Sequence, residues 1–303
     1  MIPKIHLRSP ELFFHIMPLK SLALSVCIPT YNGERFIGRT VKSVLDQTLA
    51  DYELVIVDDC STDGTWRQLS AIQDTRIRLW RNDVNLGFAG NWNKAVGLAK
   101  GSYIKLLCQD DIIYPRCLEM QAAILQNPAY QSVQLVTSAR DVIGPDDKTI
   151  LTRRCPIGTG VVDGRSAVRA TVCKGTNVIG EPSVTMFRRD VLVKAGLFSS
   201  ANRYMVDLDM WQRILRHGDL FVLADRLSAF RIQTGSMSWT DRADQPRLYR
   251  QFVDELRKDP TMGITKRDQW LAGVMADVSA LGRQLLYALY LRGEPEGDCH
   301  DGE

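Results

Sequence analysis

The hydrophobic and polar positions in the first hundred residues alternate between two periods. Leu24 to Ile28 is a short apolar run that meets Pro29 and then Thr30, Tyr31, Asn32 and Gly33, the pattern of a buried strand entering a loop. From Glu34 to Leu45 the apolar residues Phe36, Ile37, Val41, Val44 and Leu45 recur at helical spacing. Glu53 to Val57 reads as a second buried strand opening onto Asp58 and Asp59, and Ser61 or Thr62 is placed to cap a helix from Thr65 to Ile72. Arg76 to Arg81 alternates as a third strand; after a polar loop, Asn91 to Ala99 forms a helix stopped by Gly101, and Tyr103 to Leu107 a fourth strand. This repeated alternation with short loops predicts parallel strands, right-handed crossovers and a three-layer α/β sheet.

Beyond that point the simple alternation breaks down. Cys117 to Leu125 reads as a helix, Val133 to Ser138 as a strand, and Gly144 with Pro145 as the turn of a hairpin. Asp163 caps a helix reaching Val172; Asn177 to Pro182 is a loop, Ser183 to Phe187 a strand, and Asp190 to Ala195 a short helix. Met205 to His217 is a strong helix, and Phe221 to Leu223 and Leu227 to Ile232 are the last two strands. From Arg247 the chain is mostly helical, and Leu271, Val274, Val278, Leu281, Leu285 and Leu289 make an apolar stripe. The simplest expectation docks that stripe on the domain; a dimer contact and a membrane-surface helix are the alternatives.

Composition narrows the function classes. The chain has 303 residues, 45% hydrophobic and 24% charged, with a formal net charge of +3 and no long Lys/Arg run, so nucleic acid is not an expected partner. Its seven cysteines are scattered without CxxC spacing and read as reduced thiols in a cytoplasmic protein. Peripheral contact with the inner face of the membrane stays open. No run has the apolar length of a transmembrane helix, the first residues lack a signal-peptide core, and Met17 is as plausible a start as Met1. The Gly/Glu/Asp-rich end around Cys299 and His300 reads as disordered.

The candidate chemistry lies at the strand ends. In KLLCQDDIIY, Lys105 to Tyr114, a buried strand runs into the adjacent carboxylates Asp110 and Asp111. Such a pair is either an ordinary surface turn or a place where a bound cation relieves the repulsion, and hard oxygen ligands suit Mg²⁺ or Mn²⁺. Thr30 and Tyr31 follow the first strand, Asp58 and Asp59 the second, Asn85 and Gly87 the third. Parallel sheets bind ligands outside the carboxyl ends of their strands, so these groups share one rim.

Taken together, SVCIPTYN, ELVIVDDCSTDGT, NLGFAGNWNKAVGLAKGSYIKLLCQDD, GEPSVTMFRRDVLVKAGLF and VDLDMWQRILRHG resemble the family 2 glycosyltransferases of the GT-A fold. The resemblance covers about Leu24 to Gly235. It implies a GT-A-like α/β/α domain over residues 22–240, with a nucleotide-binding half at 22–111 and an acceptor-binding half at 112–240, followed by a helical extension at 241–303 with a disordered tail. It implies that Pro29, Thr30 and Tyr31 line the base pocket with Glu34 holding the same end, that Asp59 accepts from the base with Asp58 sharing that role, that Asp110 contacts the ribose and that Asp111 ligates the metal. Asp207 matches the family's general base, with Asp209 in reserve; Glu181 and Arg231 are candidate acceptor or phosphate contacts. The chain departs from the family pattern in carrying Cys108 where another Asp is common and Gln233 where His is common.

The resemblance therefore implies a hexosyltransferase-type enzyme that uses Mn²⁺ or Mg²⁺ and inverts the anomeric centre. It would move a sugar from a UDP-, GDP- or dTDP-sugar to a hydroxyl of a sugar or lipid-linked acceptor, in polysaccharide or glycoconjugate synthesis. The alternatives are a nucleotidyltransferase and a non-catalytic sugar-nucleotide-binding scaffold. Dehydrogenase chemistry is disfavoured because no GxGxxG follows the first strand.

Overall fold

A computed structural model of the chain describes residues 24–234 and 236–291. The N-terminal segment, Gly235 and the end expected to be disordered lie outside the described residues. The strands are β1 (Leu24–Thr30), β2 (Glu53–Asp58), β3 (Ile77–Arg81), β4 (Tyr103–Leu106), β5 (Ile112–Ile113), β6 (Val133–Ile143), β7 (Thr149–Arg153), β8 (Gly160–Val162), β9 (Met186–Arg188) and β10 (Asp219–Arg231). The helices are α1 (Ile37–Leu45), α2 (Thr65–Ser70), α3 (Gly87–Leu98), α4 (Cys117–Gln126), α5 (Gly164–Lys174), α6 (Val191–Ala195), α7 (Val206–Leu215), α8 (Met237–Thr240), α9 (Gln245–Lys258) and α10 (Lys266–Tyr290).

All ten strands join one sheet in the order β3-β2-β1-β4-β9-β6-β10-β5, with β7 on β6 and β8 on β10. β1, β2, β3 and β4 pair in parallel as the alternation predicts. β9 enters antiparallel between β4 and β6, and β10 runs parallel to β6. The carboxyl ends of β1, β4, β6 and β10 therefore share a rim with the segment that leads into β9. Strand order reverses between β1 and β4, which opens the crevice where such sheets bind ligands.

β1 and β2 are buried along their whole length, as strands covered on both faces must be. Leu24, Val26 and Ile28 pack with α1, α2 and α4 on one face, and Cys27, Val55 and Val57 with α3 on the other. This makes the three layers.

Four local expectations fail. The strand expected over Ser183 to Phe187 starts only at Met186, because Pro182–Val184 forms a 3-10 turn. Neither Ser61 nor Thr62 caps α2: the Glu34 carboxylate accepts from Gly64 N at 2.9 Å, and Asp63 from Thr65 N at 2.9 Å. The two strands expected between Phe221 and Ile232 are one strand, β10, whose register shifts between Val222 and Arg226 and again before Ser228. The apolar stripe of α10 does not dock: Val278, Leu281, Leu285 and Leu289 are 56 to 71% exposed. The helix packs instead through Ala272, Ala276 and Ala280, small residues that let its backbone approach α5 and α9. Gly175, at φ +63°, ends α5 where a Cβ would stand 2.3 Å from the α10 backbone at Ala276, so the position needs glycine twice over.

Candidate active site

The loop after β1 is locked to the loop after β4. Gln109 Oε1 accepts from Thr30 Oγ1 at 2.6 Å and Tyr31 N at 2.8 Å, while its Nε2 donates to Tyr31 O at 3.0 Å. Asn32, in the left-handed region at φ 47°, ties the same loop to the loop after β2 by accepting from Thr62 N and donating its own N–H to Ser61 Oγ. Asn tolerates that conformation because its short amide bonds locally.

A cavity of ≈ 360 Å³ opens at the switch point, lined by Pro29, Tyr31, Phe88, Trp92, Cys108, Gln109 and Asp110 from the first half, and by Glu181, Tyr204, Asp207, Phe230, Arg231 and Gln233 from the second. Trp92 stacks edge-on with Phe88 and Phe198, which stiffens the wall. Pro29, Tyr31, Asp110 and Asp207, distant in sequence, thus meet around one space.

Asp110 and Asp111 diverge. Asp110 lines the cavity and accepts from Gln233 Nε2 at 2.6 Å. Asp111 is fully buried and does not line the cavity; its carboxyl accepts from Arg231 N at 2.8 Å and is held by Ser183. Burial raises both carboxyls above the usual range, and the neighbouring Asp110 charge raises Asp111 further. Two adjacent buried acids whose charged forms are disfavoured, one of them facing the cavity, are suited to a divalent cation. Among the described residues no group of three His, Cys, Asp or Glu could hold a metal alone, so remaining ligands would be phosphate oxygens and water, as is common for Mg²⁺ sites.

Asp207 stands in the first turn of α7. Its Oδ2 accepts from Asn177 Nδ2 at 2.8 Å and its Oδ1 from the Leu208 N–H at 2.7 Å. Burial, and then the nearby Glu181 carboxylate, push its carboxyl up to about 7. Asp209 faces elsewhere: it pairs with Arg213 at 2.7 Å and borders a different surface cleft with Phe252 and Glu255. Glu181 is held by Arg140 on β6, Nε to Oε2 at 2.6 Å.

Other candidates are occupied within the chain. Asp58 pairs with Arg81 at 3.2 Å and bonds Ser61 Oγ, and Asp59 accepts from Leu86 N at 2.9 Å and from the Asn82 amide; neither lines the cavity. Glu34 braces the α2 N-terminus. Arg231 is fully buried: its Nε donates to Asp110 O at 2.7 Å, its Nη1 to Gly144 O at 2.8 Å, and it pairs with Asp147 and lies over the Phe36 ring. Its guanidinium is a clamp on the acidic turn. Sequence reasoning missed Asn177, Gln109 and Arg140, because no local pattern marks a residue whose partner is tens of positions away.

The glycosyl transferase family 2 model matches residues 25–195. A β-1,3-glucosyltransferase of Escherichia coli named for UDP-Glc and α-D-GlcNAc-diphosphoundecaprenol is 39% identical over 34% of this chain and 40% of its own. The structure of TarS from S. aureus in complex with UDP-GlcNAc superposes with a TM-score of 0.64 at 17% identity, covering 90% of this chain and 77% of that one. A mannosyltransferase of Pyrobaculum calidifontis in complex with GDP-Man and Mn²⁺ gives 0.60 at 17%, covering 89% and 76%. A parallel switch-point sheet, an acidic turn and a carboxylate facing it across one cavity agree with that match over more than half the chain, and the protein belongs to glycosyl transferase family 2 as a GT-A-fold glycosyltransferase.

Proposed function

We propose that this glycosyltransferase moves a sugar from a nucleoside-diphosphate donor to an acceptor hydroxyl with inversion, using a divalent metal. The observation that carries the reading is that Asp207, with its carboxyl raised to about 7, lines the same cavity as Asp110. A base poised near neutrality takes a proton most efficiently at physiological pH. In the transfer, the acceptor oxygen bonds to the anomeric carbon and the bond from that carbon to the diphosphate breaks. The diphosphate keeps the electron pair, and the acceptor proton passes to Asp207. Asn177 and the Leu208 N–H hold the carboxylate in place, and Gln109 fixes Tyr31 and Thr30 at the donor end.

Asp110 is the cavity-facing carboxylate of the acidic pair and is our choice for the metal, Mn²⁺ or Mg²⁺, with Asp111 charging the turn from behind. A bound metal would neutralise the leaving diphosphate. The first half of the sheet, to Asp111, serves the donor, and the later strands with α7 serve the acceptor. The complexes of the structural neighbours with UDP-GlcNAc and with GDP-Man and Mn²⁺ support a nucleotide-sugar donor and a metal. The glucosyltransferase relative supports a role in glycan assembly.

Thermal-shift measurement with UDP, GDP and dTDP, each with and without Mn²⁺, tests the donor side. One nucleoside diphosphate should raise the melting temperature only when metal is present, since a ligand that binds only the native state stabilises it. No shift with any of them contradicts the proposal.

A further inference from the structure

A second cavity, ≈ 90 Å³, lies behind the first. Glu181, Tyr204, Asp207 and Phe230 border both; Asp110 borders only the first, and Arg153 and Arg283 only the second. The base therefore separates an acidic turn from two arginines. The Arg153 guanidinium, at the end of β7, has no hydrogen-bond or ion-pair partner among the described residues. Arg283 on α10 is oriented by neutral acceptors, Gln245 Oε1 at 2.6 Å and Thr176 Oγ1 at 3.1 Å, and has no carboxylate partner among the described residues. Burial lowers the Arg153 pKa, and the like charges of Arg140 and Arg283 add to that against the pull of Glu181. Of the two carboxylates that line this cavity, Glu181 is already matched by Arg140, and Asp207 is held by Asn177 and the Leu208 N–H and forms no ion pair with either arginine.

Partly buried guanidinium groups without a counter-charge are costly unless an anion completes them, and arginine is the side chain best shaped to hold phosphate oxygens. The donor's own diphosphate belongs at Asp110 in the other cavity. We propose that the second cavity is an acceptor subsite in which Arg153 and Arg283 hold a phosphate or diphosphate group, so that the acceptor is a phosphate-bearing sugar. This rests on the transferase reading for the name acceptor, but not for the anion site. The phosphate could be carried by a lipid or by a soluble sugar phosphate, and the chemistry recognised at the arginines is the same.

The test begins with calorimetric titration of inorganic pyrophosphate into the full chain in the presence of EDTA, which silences a metal-dependent donor site. The parent should bind. Arg153→Gln and Arg283→Gln should each weaken binding by roughly 10-fold or more, the scale of a charge-assisted hydrogen bond, while Arg153→Lys should retain most of it. Circular dichroism of each variant guards against misfolding. No binding by the parent, or equal binding by parent and both Gln variants, overturns the proposal.

Transfer is then compared among one sugar on a short alkyl diphosphate, the same sugar on a polyprenyl diphosphate, and its neutral alkyl glycoside. Both diphosphates should exceed the glycoside in kcat/KM, and Arg153→Gln should erase that preference. A gain from the polyprenyl chain identifies a lipid source, and equality of the two diphosphates a soluble one. A preference that survives in Arg153→Gln overturns the subsite. Pyrophosphate binding through both arginines with no transfer to any acceptor would contradict the transferase reading and leave the anion site standing.

Discussion

Asp207 and Asp209 sit in one helical turn with opposite fates: Asp209 is neutralised by Arg213, while Asp207 keeps only the donors Asn177 and Leu208 N–H against burial and Glu181. A carboxyl raised from 3.8 to about 7 in the folded state opposes folding once it ionises. The stability of the neutral form is fully present below the unfolded pKa and is lost as pH rises through about 7. Asp207→Asn should therefore melt higher than the parent at pH 8, with the advantage shrinking toward pH 5; an advantage that grows toward acid would reverse the sign. The acidic pair yields a second prediction. Asp110→Asn should abolish most metal-dependent nucleotide binding, whereas Asp111→Asn, behind it, should weaken binding less and perturb the β10 end through Arg231 N. Calorimetry with nucleotide and Mn²⁺ measures both, and a larger loss in Asp111→Asn would return the metal to the residue the motif suggests. The sequence placed these acids on one rim because strand ends are legible from apolar runs. It did not reveal which oxygen faces the cavity, since that depends on Arg231 and Gln233, more than a hundred positions away.

At the scale of elements, periodicity identifies an element's type better than the face it buries or the point where it is interrupted. α10 carries its leucines and its alanines at the same spacing, so the pattern fixes the helix but not the face that docks. The alanine face wins because α5, ended by Gly175, brings its backbone against the helix. Ala276→Leu should lower stability by about 1–3 kcal/mol through overpacking, while Leu285→Ser should change it by less than about 0.5 kcal/mol. Denaturant melts of the two variants distinguish the faces, and the opposite ranking would mean that the leucine stripe is the buried one. Gly175→Ala should cost about 3 kcal/mol from left-handed strain and the close approach together, and a melt within error of the parent would refute that contact. The sequence pattern splits β10 in two because its middle, Ala224 to Arg226, is exposed and carries Asp225 and Arg226 where the register shifts. A bulge breaks the alternation that marks a strand without breaking the strand.

At the scale of the molecule, one sheet positions the acidic turn and the residues that face it across the cavity. β9, set antiparallel between β4 and β6, brings Glu181 to the rim beside the acidic turn, and α7 supplies Asp207 opposite it. The family match stands against the nucleotidyltransferase alternative, and the fold follows from the strand-helix alternation that the first hundred residues display. The arrangement of the second half was less legible because its strands pair across long connections. The claim that most depends on this architecture is that Asp207 takes the acceptor proton while the donor is held elsewhere. It is tested by measuring Asp207→Asn for both functions, with the pH profile of the parent. The account predicts metal-dependent nucleotide affinity near that of the parent, turnover depressed by roughly 100-fold or more, and a parental kcat/KM that rises with pH and levels off above about 7. Transfer by Asp207→Asn at near the parental rate would contradict it.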